Sequence, residues 1–139
     1  MTRRKWLLFP LLFAACRKPE PPPDLFTGTV AGVWHRTALG TLSASEAPEP
    51  VPRTAIDRVE SASYEGPGKL EARLSQLSSP GVALDLAQRW RPSADTVFFY
   101  ARNYFVVVKW QDADREALKQ FVRALEDRLG PRPSRTAPE

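Results

Sequence analysis

The sequence predicts a small α+β domain built from two ββα units in tandem. Three features of residues 55–129 predict it: two pairs of strand-forming segments, an amphipathic helix after each pair, and turn residues between the paired segments. Each predicted helix has one apolar stripe that must pack against a sheet. We therefore expect a four-stranded, mainly antiparallel sheet with both helices on one face.

The first unit is a hairpin followed by a helix. Strand patterns cover residues 56–64 and 69–77, and the Glu-Gly-Pro-Gly sequence between them is typical of a turn. Ser79 then provides a helix cap, with a proline at the first helical position. Apolar residues recur at helical spacing from Ala83 to Trp90, and Pro92 ends the pattern.

The second unit repeats this order. Its strands, 96–101 and 104–110, are rich in Val, Phe and Tyr and nearly continuously apolar, which is typical of central strands covered on both faces. Asp112 or Asp114 can cap the final helix, and Gly130, followed by proline, ends it. The apolar stripe of this helix consists of Leu118, Phe121, Val122, Leu125 and Leu129.

Proline clusters mark the boundaries of the domain. They lead us to expect a Pro-rich spacer at 16–24, an internal loop at 45–54 and a disordered tail at 130–139. The domain then spans 25–129, with its core in 55–129. Residues 25–44 predict one or two short strands or an irregular segment that could cover the second face of the sheet.

Charge gives little support for a nucleic-acid partner. The formal net charge is +4, with 20 Lys and Arg against 16 Asp and Glu, but Arg3, Arg4 and Lys5 lie in an N-terminal segment that we expect to be removed. Without these three, 17 basic and 16 acidic side chains nearly balance. They also interleave along the chain instead of forming a basic stripe, so we expect no nucleic-acid binding.

Residues 1–15 have the three parts of an export signal: basic residues, an apolar run from Trp6 to Phe13, and small residues before a break. The apolar run of about ten residues is shorter than the roughly 20 that a membrane-spanning helix needs. We therefore expect a signal peptide that is cleaved, not a permanent transmembrane helix.

The junction after this segment, Leu12-Phe13-Ala14-Ala15-Cys16, resembles the lipobox of bacterial lipoproteins. The resemblance implies that the signal peptidase cuts between Ala15 and Cys16 and that Cys16 carries acyl chains that insert into the lipid bilayer. Phe13 departs from the pattern, in which an aliphatic residue is commoner. Because Arg17 is not the Asp that retains such proteins at the inner membrane, the resemblance implies the periplasmic face of the outer membrane.

The alternative for Cys16 is an ordinary buried thiol. It is the only cysteine, so the chain can form no internal disulfide. The residues after it, Arg-Lys-Pro-Glu-Pro-Pro-Pro-Asp, cannot continue a packed element. A free thiol would also be reactive in an oxidising compartment, and a thioether would not. These points favour lipidation.

Few residues suit catalysis or metal binding. With one histidine, His35, and one cysteine, the chain offers few ligands for a transition metal or bases for catalysis, so we expect neither an enzyme nor a cofactor. The acidic residues Asp112, Asp114 and Glu116 suggest helix capping more than calcium binding. Residues 66–68 suggest a turn more than a phosphate loop.

Aromatic residues are the one feature that could mark a binding surface. They fit a packed core best, but would face a ligand or partner if one side of the sheet were open. The residues that we assign to such a surface are Trp90, Phe99, Tyr104, Phe105 and Trp110.

The ββαββα pattern, the turn at 64–68 and the Phe-rich hairpin at 97–108 are faintly similar to uncharacterised domains of bacterial envelope lipoproteins, a resemblance that implies no activity. We expect a non-enzymatic lipoprotein, anchored by acylated Cys16, that acts in interaction or scaffolding with another envelope protein. The alternative is a binding module for a small apolar or lipid-like ligand.

Overall fold

The computed structural model describes residues 24–46 and 52–130 and contains one curled, six-stranded sheet and two α-helices. The strands lie in the order β1-β2-β3-β4-β6-β5, and every neighbouring pair is antiparallel. In chain order the elements are β1 (Thr29–Val30), β2 (Trp34–Leu42), β3 (Ile56–Gly66), β4 (Gly68–Leu77), α1 (Pro80–Arg89), β5 (Thr96–Ala101), β6 (Tyr104–Gln111) and α2 (Arg115–Leu129).

The fold is α+β, but the prediction of a four-stranded sheet is wrong. The two additional strands come from residues 25–44, which extend the sheet beside β3. The pairing of β2 with β3 runs from His35 opposite Glu65 to Leu42 opposite Val59. Most side chains of β2 are exposed, so this strand has no buried face and no alternating pattern by which its pairing could be recognised.

The placement of the helices also differs from the prediction, because α1 and α2 pack on opposite faces of the sheet. Successive side chains of a strand point to opposite faces. In β6, Val106 and Val108 belong to the apolar cluster that contains Phe121 of α2. Phe105 and Val107, which alternate with them along the strand, pack in the separate cluster that contains Leu86 of α1. The continuously apolar sequence of β6 is therefore explained by cover on both faces.

Local signals set the ends of both helices. The Ser79 hydroxyl accepts a hydrogen bond from the Val82 amide at 3.2 Å, which caps α1. The Asp114 carboxylate accepts from the Ala117 amide at 3.0 Å and caps α2 in the same way. Gly130 ends α2 with a φ of 106°, a conformation that favours glycine.

Residues 25–34 complete the face covered by α2. Leu25, Phe26 and Val30 are at most 1% exposed and belong to the α2 cluster. The guanidinium of Arg128, near the end of α2, donates to the Leu25 carbonyl oxygen at 3.0 Å. This segment thus shares a face with α2. On the other face, α1 packs against β4, β5 and β6 and leaves the far part of the sheet open.

Candidate functional site

Two exposed features of the sheet are candidates for a functional surface. One is a polar groove on the face that α1 covers in part, and the other is the outer edge of β2.

The groove has a volume of about 580 Å³ and crosses β3, β4 and β6. Strand register brings opposite charges together along it: Glu65 lies directly opposite Lys69, and Glu71 directly opposite Lys109. Most of the lining side chains are polar, and this suits water or a polar ligand better than an apolar one. The main lining residues are Ser63, Glu65, Lys69, Glu71, Lys109 and Gln111.

Arg73 lies beside this groove and connects the sheet to the short 3-10 helix Ala44–Glu46. Its guanidinium donates to the Glu46 carbonyl oxygen at 3.2 Å and lies 3.9 Å from the Glu46 carboxylate. A further ion pair, of 3.5 Å, joins Arg73 to Glu71. The contacts with Glu46 hold the segment after β2 against the sheet, whereas the pair with Glu71 lies within β4. Each exposed ion pair contributes about 0–1 kcal/mol.

The second candidate, the outer edge of β2, is paired over only part of its length. Strand β1 pairs with its start, where Val30 is opposite Trp34, and the Arg36 amide donates to the Gly28 carbonyl oxygen at 2.9 Å. Beyond this point, none of the described residues pairs with the outer side of residues 37–42. Unpaired N–H and C=O groups on an exposed edge are a template for another strand.

Apart from a register irregularity between Arg36 and Ala38 at its start, the free part of β2 lacks the usual protection of an edge strand. Its sequence, Thr-Ala-Leu-Gly-Thr-Leu, contains no charge and no proline, the two features that commonly prevent unwanted pairing. Leu39 is 48% exposed, and all but the last side chain of this segment are exposed. We refer to residues 37–42 as the β2 edge.

The opposite edge of the sheet, formed by β5, is different. Its six residues are also uncharged, but their side chains pack beneath the two helices: Phe99 is 6% exposed on the α2 face, and Phe98 packs in the α1 cluster. Tyr100 alone is exposed among them. The β2 edge is therefore the more accessible of the two.

The five aromatic residues assigned to a binding surface do not lie on one surface. Phe99, Tyr104 and Phe105 are 6%, 3% and 0% exposed and form part of the core. Trp90 and Trp110 are partly buried and belong to different clusters, Trp90 on the α1 face and Trp110 on the α2 face. The rings of Trp90 and Phe105 meet edge to face, with centroids 5.5 Å apart.

The other residues considered from sequence have ordinary structural positions. His35 is an exposed residue of β2 opposite Glu65, residues 66–68 connect β3 to β4, and Asp114 caps α2. Within 24–46 and 52–130, no three His, Cys, Asp or Glu side chains lie close enough to hold a metal ion.

Sequence reasoning missed the β2 edge. A usable signal was present, since residues 37–45 form an uncharged run that contains Leu39 and Leu42. Without an alternating pattern, this run could not be assigned to a strand.

The predicted signal peptide 1–15, the cleavage site between Ala15 and Cys16, the lipidated Cys16 and the spacer up to residue 23 lie outside the described residues, as do loop residues 47–51 and tail residues 131–139. Among the described helices, none combines the length and apolar character required to span a bilayer. Searches with the whole chain found no matching family model, curated protein or solved structure.

Proposed function

We propose that this chain is a non-enzymatic interaction module of the bacterial envelope, held at a membrane by acylated Cys16. The domain that follows the spacer binds another protein chain through the β2 edge. One observation carries this proposal: residues 37–42 form an exposed, uncharged strand whose outer side is unpaired among the described residues.

Strand addition is the binding mode that such an edge supports. A partner strand would satisfy the outward N–H and C=O groups of β2, and each new hydrogen bond would contribute about 0.5–1.5 kcal/mol. Main-chain bonds supply affinity in this mode, while side chains supply specificity. Leu39, at 48% exposure, offers apolar surface for this purpose.

The proposed anchor keeps this edge near the bilayer. Acyl chains contribute about 0.8 kcal/mol per buried methylene, so a multiply acylated cysteine binds a membrane durably. Cys16 and Asp24 are eight residue steps apart, and a Pro-rich segment extends by about 3 Å per residue, which gives a reach of up to roughly 25 Å. Binding through β2 would therefore occur close to the membrane surface, as scaffolding requires.

The groove gives less support to the alternative, a module for an apolar ligand. Its walls are mostly polar and carry Glu65, Lys69, Glu71 and Lys109. Of the five aromatic residues assigned to a binding surface, Trp110 alone lines it. The features of the described residues thus favour protein binding over lipid-like ligand binding.

Photocrosslinking in cells tests the interaction. A photoreactive amino acid at Leu39 should capture a protein, whereas the same group at Lys119, an exposed residue of α2, should not. The absence of an adduct at Leu39, or adducts of equal yield at both positions, would contradict binding through the β2 edge.

Metabolic labelling tests the anchor separately. A clickable palmitate analogue should label the natural chain, mass spectrometry should find residue 16 at its N-terminus, and the Cys16→Ser variant should take up no label. An unlabelled natural chain that keeps residues 1–15 would refute the anchor.

A further inference from the structure

We infer that the chain that binds the β2 edge is a second copy of this same protein. The inference rests on the proposed function, since it takes β2 as the binding strand, and adds the identity of the partner. The two β2 strands pair antiparallel about a two-fold axis, which joins two six-stranded sheets into one of twelve strands.

The sequence of the β2 edge is compatible with itself. When Leu39 lies opposite Leu39 of the second copy, Ala38 lies opposite Gly40 and Thr37 opposite Thr41. Every one of these pairs is uncharged and small or apolar, so no like charges meet. The Leu39 side chains, each 48% exposed in the single chain, cover one another across the axis.

The structure limits the new pairing to this short stretch. On one side, the Arg36 amide already donates to Gly28, so β1 occupies the edge before Thr37. On the other, β2 ends at Leu42 and the chain turns into the 3-10 helix Ala44–Glu46. With Leu39 at the axis, residues 37–41 of the two copies pair. The pairing ends where β1 of each copy occupies the edge.

This geometry also agrees with two lipid anchors in one membrane. A two-fold axis that makes edge strands antiparallel stands perpendicular to the sheet, so equivalent faces of the two copies lie on the same side. The start of each domain, at Leu25, is fixed to α2 by Arg128. Leu25 of both copies therefore lies on the α2 side of the joined sheet, so acyl anchors at the two Cys16 residues can enter one bilayer on that side, with the charged grooves on the opposite side.

Disulfide trapping tests the pairing directly in native membranes. Cys16 is the only cysteine and is consumed as a thioether under the proposed function, so Leu39→Cys supplies a single thiol per chain. Residues directly opposite in an antiparallel pair have Cα atoms about 4.5–5.5 Å apart, a distance that a disulfide can span. Mild oxidation should give a dimer on a non-reducing gel.

Two control variants make this result specific. Lys119→Cys places the thiol on the exposed face of α2 and should stay monomeric, and Tyr100→Cys tests the β5 edge and should stay monomeric too. A monomeric Leu39→Cys chain, or a dimer formed instead by Tyr100→Cys, would overturn self-pairing through β2.

A matched pair of charge substitutions tests the same surface without oxidation. Leu39→Lys places two ammonium groups opposite each other at the axis, whereas Leu84→Lys makes the same change in α1 at similar exposure, 44% against 48%. In detergent, sedimentation should give the dimer mass for the natural chain and Leu84→Lys and the monomer mass for Leu39→Lys. Equal masses for the two variants contradict the inference.

The outcomes separate this inference from the function on which it rests. A Leu39 photoadduct with a different protein, together with a monomeric Leu39→Cys chain, leaves the interaction module in place and refutes self-pairing. The absence of both the adduct and the disulfide dimer refutes both. A disulfide dimer and a photoadduct of twice the chain mass support both.

Discussion

The indole nitrogen of Trp34 donates a hydrogen bond to the backbone carbonyl oxygen of Ala117, with the two atoms 3.0 Å apart. The bond joins the start of β2 to the first turn of α2, across 83 residues of sequence. Trp34 is fully buried, and its ring meets that of Phe121 edge to face, with centroids 6.0 Å apart. One side chain therefore fixes the N-terminal strands to the last helix.

We expect Trp34→Phe to lower the free energy of unfolding by about 2 kcal/mol, because it removes a buried hydrogen bond and leaves unfilled volume. Trp110→Phe is the matched control, since Trp110 is only partly buried, and its loss should be under about 1 kcal/mol. Urea denaturation measures both. Equal losses would mean that the Trp34 bond contributes nothing specific.

Tyr64 connects the same regions by a different bond. Its hydroxyl donates to the Thr27 carbonyl oxygen at 2.6 Å, and its ring meets Phe121 with centroids 5.0 Å apart. Burial raises the pKa of Tyr64 to about 12, although the nearby guanidinium groups of Arg36 and Arg128 act in the opposite direction. The folded protein thus favours the neutral phenol.

This pKa predicts how stability depends on alkaline pH. The phenol has a pKa of about 10 when unfolded, so its contribution is complete below pH 10 and is lost as the pH rises towards 12. The difference of about two units corresponds to a loss of about 3 kcal/mol. Between pH 9 and 12, the unfolding free energy of the natural chain should therefore fall by about this amount relative to that of Tyr64→Phe.

Other groups titrate in this range, so the difference between the two chains is the quantity to follow. The ultraviolet absorbance of tyrosinate gives an independent reading, since the phenol with the raised pKa should be missing from the titration of Tyr64→Phe. Parallel stability curves for the two chains would show that Tyr64 ionises equally well in the folded and unfolded states.

Gly68 permits a close approach between the first hairpin and the chain that enters α2. A Cβ at this position would lie 2.5 Å from the Cα of Ala113 and 2.6 Å from the Asp112 carbonyl oxygen, and φ is +132°. Gly68→Ala should therefore destabilise the fold by about 2 kcal/mol or more. Gly28→Ala, where a Cβ meets nothing within 4 Å, should change stability by less than about 1 kcal/mol. Thermal unfolding of both variants tests the contrast.

Sequence patterns were sufficient for the elements that have a buried face and a clear boundary. Ser79 marks the start of α1 because its side chain forms a local hydrogen bond, and Gly130 marks the end of α2 because it adopts a positive φ that favours glycine. The predicted ends of the strands in both hairpins lie within two residues of the observed ends. An alternating pattern indicates a strand with one buried face, and a continuously apolar pattern indicates a strand buried on both faces.

The remaining errors have physical causes. The apolar run of β6 required cover on both sides of the sheet, for which the sequence prediction offered residues 25–44 on the second side. In the structure α1 covers Phe105 and α2 covers Val106. The sequence of β2 has no alternating apolar pattern, because the hydrogen bonds of β2 to β3 do not depend on buried side chains. The β2 edge was hidden for that reason, since exposure without periodicity resembles a loop.

The cap of α2 separates the effect of a hydrogen bond from that of a charge. The Asp114 carboxylate accepts from the Ala117 amide, and the Asp114 amide donates to the Pro67 carbonyl oxygen at 3.0 Å, so the helix start is fixed to the turn between β3 and β4. Asp114→Ala should cost about 1 kcal/mol, because it leaves an amide of the first turn without its partner. Asp114→Asn keeps an acceptor but loses the charge that the helix dipole favours, so it should cost roughly half as much. Urea denaturation followed by circular dichroism measures both, and equal costs for Asn and Ala would show that the charge, not the hydrogen bond, stabilises the start of α2.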